Sequence, residues 1–390
     1  MKTSASTLHD PSSAAVTRRR VYYLSGFDPR GAAFYHRMYR DEARKQAALS
    51  GAEFSVGPRR RESGGVSRWQ VTAGWDGQQV ETEYLFLGWD DIVRAHWLPK
   101  RHQVLAAGVH SLFRYVTHGA FAAIRRAGRG PFFSALFPYV SVALLGVLSS
   151  LAGMFAAWLV AAQSGSWPLA LASGLLALLA MVVAGLRLAE RGGVFWLLRT
   201  YVFACLWGKE PIDMLEARMD AMAERILQDS SKQPVDEVLV IGHSVGTMLA
   251  VSVAARLLRM VPQGLPAHRL VTLGGCIPLL SLMPSAMVFR QDLAVVGAAK
   301  CLPWVDVAAV ADPLCFAGSH PLTISGVAAP YQGQPRLVTA RFFRLFSTAR
   351  YRVLKRNKLR LHFQYLMAGE VAGEYDYFRL TAGPDPVKES

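Results

Sequence analysis

Between Arg129 and Arg187 the chain carries no charged residue, over a stretch long enough for two helices of about 20 residues, each able to cross a hydrocarbon core of about 30 Å. Few folds accept such a segment in the middle of a chain. A buried helical pair would normally show some charge and an amphipathic pattern, and neither is present here. The segment therefore predicts a transmembrane hairpin, with helices at 136–162 and 169–186 joined by the turn-forming Gln163-Ser164-Gly165-Ser166-Trp167-Pro168. Arg114, Arg125, Arg126 and Arg129 precede the hairpin, and Arg187 and Arg191 follow it. By the positive-inside rule both flanks face the cytoplasm and the short turn lies outside. The apolar stretch 194–207 is short and interrupted by Arg199, which suits an interfacial or lid-like helix better than a third span.

The remaining sequence has the composition of an ordinary globular enzyme. The net charge of +15 is carried by scattered clusters, Arg18 to Arg20, Arg59 to Arg61 and the basic run 341–358, with no nucleic-acid-binding motif. Attraction to anionic lipid headgroups is the simpler account, so membrane lipids are the expected partner and nucleic acid is not. Trp97, Trp158, Trp167, Trp196 and Trp207 fit interfacial anchoring. The four cysteines, Cys205, Cys276, Cys301 and Cys315, have neither metal-site nor secreted-framework spacing and read as reduced thiols. The polar N-terminus lacks the apolar core of a signal peptide, which leaves targeting to the internal hairpin.

Strand and helix signals alternate on both sides of the hairpin. Before it, a strand at 20–25 leads into a loop and a helix at 32–48. Strands follow at 53–56, 69–73 and 80–87, the last two joined by an Asp76-Gly77 turn. After it come a helix at 212–228 and strands at 235–241, 270–273, 305–310 and 337–343. The pattern predicts an α/β fold whose mostly parallel sheet has helices on both faces, completed jointly by the two flanks. The expected divisions are a disordered tail at 1–19, a first part of the domain at 20–130, the hairpin at 131–188, the interfacial or lid-like helix at 189–210 and a second part at 211–382.

Gly242-His243-Ser244-Val245-Gly246 stands between the strand at 235–241 and a helix at 247–258. Strand, tight turn with flanking glycines and helix are what a nucleophile elbow requires, and they make Ser244 the candidate nucleophile. A serine hydroxyl needs a base, and the base an orienting carboxylate. Asp312, at the end of the strand at 305–310, is the candidate acid, whereas Asp306 lies within that strand and reads as structural. Among histidines after the serine, His268 lies at the wrong end of the sheet. His362 follows the last strand and is the preferred base, with His320 the competitor. Oxyanion donors would be the backbone N–H groups of Val245 and of Phe27, in the loop after the first strand where Gly26 allows close approach. Arg30 either contacts an acidic substrate group or pairs internally within Asp28-Pro29-Arg30-Gly31. Trp89-Asp90-Asp91 with His96 and His102 has metal-ligand residue types but no recognised spacing, and a structural cluster is the better reading.

These elements together resemble the α/β hydrolase superfamily, especially its lipase-like members. The resemblance rests on Ser25-Gly26-Phe27, the elbow, the strand Leu270-Val271-Thr272-Leu273-Gly274, Asp312-Pro313 and the late His362, and covers about 20–120 and 210–380. Two departures stand out: Ser25 sits where many relatives carry histidine, and the hairpin interrupts the fold where relatives often carry a lid. The resemblance implies a membrane-anchored serine hydrolase of esters or thioesters, lipid-derived ones included, working without metal or organic cofactor. The rival reading is a hydrolase fold kept as a membrane scaffold or binding module; acyl transfer to an acceptor other than water would use the same residues.

Overall fold

The computed structural model describes Leu8, residues 14–328 and residues 334–388. Strands from both sides of the apolar segment join in one sheet. Among the described residues it has nine strands: β1 (Arg18–Leu24), β2 (Glu53–Val56), β3 (Arg60–Arg61), β4 (Val66–Trp75), β5 (Gln78–Leu87), β6 (Glu237–His243), β7 (His268–Leu273), β8 (Trp304–Ala308) and β9 (Arg336–Thr339). The order is β2-β4-β5-β1-β6-β7-β8-β9, with the short β3 on β4. From β5 to β9 the neighbours run parallel; β2, β3 and β4 add an antiparallel edge. The result is an α/β fold with a mixed, mostly parallel sheet. Asp76 and Gly77, both at positive φ, make the β4–β5 hairpin turn.

Alternation along the central strands divides the core. Tyr22, Leu24, Val238 and Val240 face one layer, and Val21, Tyr23, Leu239 and Ile241 face the other. Every residue of β6 is buried, as a parallel strand covered on both faces demands. The first layer holds α8 (Asp213–Lys232), α9 (Gly246–Met260) and α11 (Met287–Ala298); the second holds α1 (Gly31–Ser50) and α15 (Tyr377–Ala382).

The strand expected from residue 20 begins at Arg18, and Val16 is already tied to Pro384 by a backbone hydrogen bond. The expected disordered tail is therefore structured at 14–19 and at Leu8, which is buried in the second layer and accepts Lys388 N–H (3.0 Å); its residues 1–7 and 9–13 lie outside the described residues. Arg19 and Arg20 do not contribute to a basic surface. They are buried against Glu237 (2.7 Å) and Glu83 (2.5 Å).

Between β5 and β6 the chain forms α2 (Asp90–Ala95), α3 (Arg101–Thr117), α4 (Ala120–Ala127), α5 (Arg129–Ser164), α6 (Trp167–Arg191) and α7 (Val194–Lys209). The helices α5 and α6 are long and apolar enough to cross a membrane, and little of their most apolar stretch is buried. At about 1.5 Å per residue, α5 is about 54 Å long. Its first turns stay on the domain, where Ser134, Ala135 and Pro138 are buried. Farther out it packs on α6 through small residues: a Cβ on Gly174 would stand 2.9 Å from the Cβ of Ala157, and one on Gly153 2.9 Å from the carbonyl of Gly174.

Beyond the apolar pair, α7 is a buried element, with Phe195, Leu198, Tyr201 and Phe203 nearly inaccessible. Arg199, the residue that breaks its apolar run, donates to the carbonyl of Leu98 and stacks over Trp97. Trp207 is a core side chain against Phe203, and Trp97 packs half-buried on Phe27, so neither is an interfacial anchor, whereas Trp158 and Trp167 are exposed near the far end of the apolar pair. After β7 the short α10 (Ile277–Ser281) precedes α11. The segments after β8 carry α12 (Pro321–Ile324), α13 (Thr348–Leu354) and α14 (Lys358–His362).

Candidate active site

Ser244 directly follows β6 with φ of +58°, one of three described non-glycine residues at positive φ. That conformation costs about 1–3 kcal/mol and persists only where the surroundings enforce it. Here they do. A Cβ on Gly246 would lie 2.2 Å from the carbonyl oxygen of Leu24, and one on Gly242 2.5 Å from that of Gly246. The two glycines let the turn close against the end of β1. Ser244 N–H donates to Leu273 O (3.0 Å), and Thr247 Oγ1 donates to Ser244 O (2.6 Å).

Topology brings the loop after β1 to the same point. The connections from β1 and β6 leave in opposite directions across the sheet, which opens a crevice at the carboxyl ends of these two neighbours. A Cβ on Gly26 would be 3.0 Å from Ser244 Cβ, so the loop can approach only without one. Trp89 holds it by donating Nε1–H to Ser25 O (3.0 Å), and Phe27 stacks on Phe203 (4.6 Å between centroids) and Trp97 (5.5 Å). Among the described residues the N–H groups of Phe27 and Val245 donate to no protein acceptor.

Arg30 is engaged internally. Its guanidinium donates to both carboxylate oxygens of Asp28 (2.6–2.9 Å), Tyr35 adds a third side-chain donor to Asp28, and Arg30 stacks on Phe34 at 3.7 Å. It braces the loop. In the Trp89-Asp90-Asp91 cluster Asp90 pairs with Arg94 and Asp91 with Arg218, His96 bonds to Ile92 O, and His102 is exposed. Among the described residues no group of three or more His, Cys, Asp or Glu side chains is placed to hold a metal.

Asp312 and His362 meet across 50 residues of sequence. His362 Nδ1 lies 2.7 Å from Asp312 Oδ2, both side chains are buried, and the other carboxylate oxygen accepts Leu314 N–H (3.0 Å). With Nδ1–H donated to the carboxylate, Nε2 presents a lone pair, and it is buried with no partner. His320 does not share this pair: its ring lies 3.4 Å from Thr323 Oγ1 at the start of α12. His268 lies at the start of β7, against Ser230 and Pro266. Asp306 accepts from Thr272 (2.5 Å), and burial pushes its carboxyl up to about 6. Asp292 pairs with Arg259, Asp376 caps α15 and Asp385 pairs with Arg379.

Three side chains, His243 of the motif itself and two outside it, have supporting roles that the motif does not specify. His243 donates Nε2–H to the carbonyl of His362 (3.0 Å), and the two rings lie 5.0 Å apart. Burial lowers His243 to about 3, with the neighbouring His362 adding to the effect, so it is a neutral brace. Cys276 Sγ lies 3.8 Å from Ser244 Oγ and 3.4 Å from Leu314 O; burial pushes its thiol up to about 12, which keeps it un-ionised. Tyr365 accepts Ala309 N–H at the end of β8 and receives support from Tyr375. Ser244, Cys276, Leu314, Asp312 and His362 thus form a continuous chain of contacts. Ser244 Oγ and His362 Nε2 are not hydrogen-bonded to each other.

Compared with known proteins, the chain matches no protein-family model, no curated protein and no solved structure.

Proposed function

We propose that this chain is a membrane-anchored serine hydrolase of the α/β hydrolase type, cleaving an ester or thioester at the cytoplasmic face of a bilayer. The observation that carries the reading is the strained Ser244 elbow together with a buried Asp312–His362 pair whose free Nε2 belongs to the same contact chain. Ser244 Oγ attacks the carbonyl carbon while His362 Nε2 takes its proton. The tetrahedral oxyanion is held by Phe27 and Val245 N–H, and His362 returns the proton to the leaving oxygen or sulfur. Water, deprotonated by His362, then attacks the acyl-Ser244 carbonyl; the bond to Ser244 Oγ breaks, His362 returns the proton to Oγ, and the acid is released. Asp312 keeps His362 in the required tautomer. The cycle uses only these protein groups and water. In this reading the hairpin α5–α6 is the anchor, and the basic flanks support a cytoplasmic domain by the positive-inside rule.

A second reading, a hydrolase fold serving as a membrane scaffold, draws support from the missing Ser244–His362 hydrogen bond and from the burial of Ser244. Labelling membranes that contain the full chain with a fluorophosphonate probe separates the two. Hydrolysis predicts that labelling is abolished in Ser244→Ala, falls at least about 100-fold in His362→Ala and is unchanged in His320→Ala. Absence of labelling in folded wild type would favour the scaffold. Product analysis with alcohol or amine acceptors distinguishes transfer from hydrolysis.

A further inference from the structure

A cleft of about 680 Å³ opens where the apolar helices leave the domain. One wall is Phe133 and Phe137 at the start of α5; another is Arg191 and Trp196 at the α6–α7 junction. The floor is Pro313-Leu314, which directly follows Asp312, and the remaining wall is Arg356 to Leu359 at the start of α14, the helix that ends in His362. The cleft therefore touches both segments that carry the acid and the base. Through Leu314 O, in contact with Cys276 Sγ, it lies one side chain from Ser244.

The lining has two halves of different chemistry. Phe133 and Phe137 are exposed on α5, continuous with the exposed apolar surface of that helix. Arg191, Arg356 and Lys358 are exposed cations, and no described carboxylate lies within ion-pair distance of any of them. Three cations without counter-charge beside an apolar wall fit one kind of ligand, an anionic headgroup with acyl chains attached. A soluble organic anion would leave the aromatic wall unused, and a neutral lipid would leave the cations unpaired.

We infer that this cleft receives an anionic glycerophospholipid from the adjoining leaflet, with its phosphate among Arg191, Arg356 and Lys358 and its acyl chains along Phe133, Phe137 and Trp196. The inference rests on the membrane-anchored reading and extends it by naming the substrate class: the acyl ester next to the glycerol is the bond brought towards Ser244.

Binding can be measured without catalysis. The Ser244→Ala protein is placed in phosphatidylcholine nanodiscs with increasing phosphatidylglycerol carrying brominated acyl chains. Quenching of Trp196 is read as the difference between Ser244→Ala and Ser244→Ala/Trp196→Phe. Quenching should saturate at a low mole fraction of phosphatidylglycerol, and Arg191→Gln/Arg356→Gln/Lys358→Gln should raise that fraction at least about tenfold. Equal quenching by brominated phosphatidylcholine, no effect of the triple substitution, or displacement by millimolar inorganic phosphate would overturn the assignment. Fluorophosphonate labelling of wild type reports separately on the hydrolase reading. Labelled protein without selective quenching rejects the lipid site alone, and quenching without labelling rejects the hydrolase alone.

Discussion

Ser244 owes its position to residues that carry no functional group. Gly246 meets the end of β1 so closely that Gly246→Ala must push the turn away from Leu24 or break it. Overpacking of this kind costs about 1–3 kcal/mol, and the variant should melt lower and lose probe labelling, as thermal unfolding and labelling of the same sample will show. His243 makes a different prediction. Its imidazole titrates near 3 in the folded chain, against about 6.5 when exposed in the unfolded chain. As pH falls below 6.5 the unfolded state takes up the proton first, so stability present above 6.5 is lost progressively towards 3. Between pH 7 and 5 the loss is about 2 kcal/mol. His243→Asn should flatten that part of the stability–pH curve, and an unchanged slope in detergent melts would show that His243 is not the group responsible. The elbow was legible from its glycines and flanking periodicity, and His362 from chain order. Arg30 was not: whether its guanidinium meets a ligand or Asp28 depends on the loop's path and on Tyr35 and Phe34 beside it.

Among the elements, α7 was expected to be either interfacial or lid-like. An apolar run interrupted by arginine suits an interface, but the chain places α7 over the loop after β1 and satisfies Arg199 with the Leu98 carbonyl and Trp97. Phe203 is its central contact, stacked on Phe27 and buried. Phe203→Ala should cost about 3–5 kcal/mol and loosen the loop that carries the Phe27 N–H. Chemical denaturation will give the first quantity, and a slower rate of fluorophosphonate labelling at temperatures where the protein stays folded will report the second. The two long helices were legible because charge-free length is a one-dimensional property; α5, running from Arg129 to Ser164, exceeds its expected span mainly by the first turns, which pack on the domain. Strand β1 likewise starts two residues early, because Arg19 and Arg20 find Glu237 and Glu83 across the sheet and are buried as pairs.

For the whole molecule, the hairpin separates β5 from β6 in sequence while β1 joins them in space. In the membrane-anchored reading, both ends of the apolar segment return to the same side of the bilayer. On a Cys301→Ser background, whose other three cysteines are buried, a cysteine at Gly165 should react with a membrane-impermeant maleimide added outside intact cells. One at Glu210 should react only after the membrane is opened; reaction of both from the same side of a sealed membrane would exclude the hairpin topology. The sequence by itself determined the properties carried by neighbours along the chain: the charge-free pair of helices, the alternation that makes an α/β sheet, and the glycine-flanked turn at Ser244. Tertiary structure alone decided which distant groups meet. The order β5-β1-β6 sets Gly26 against Ser244, and the return of the chain after β9 brings His362 to Asp312 and His243. The floor of the cationic cleft is likewise set against the base of α5. These contacts span tens to hundreds of residues, and their geometry follows from how the sheet is covered, which no local pattern encodes.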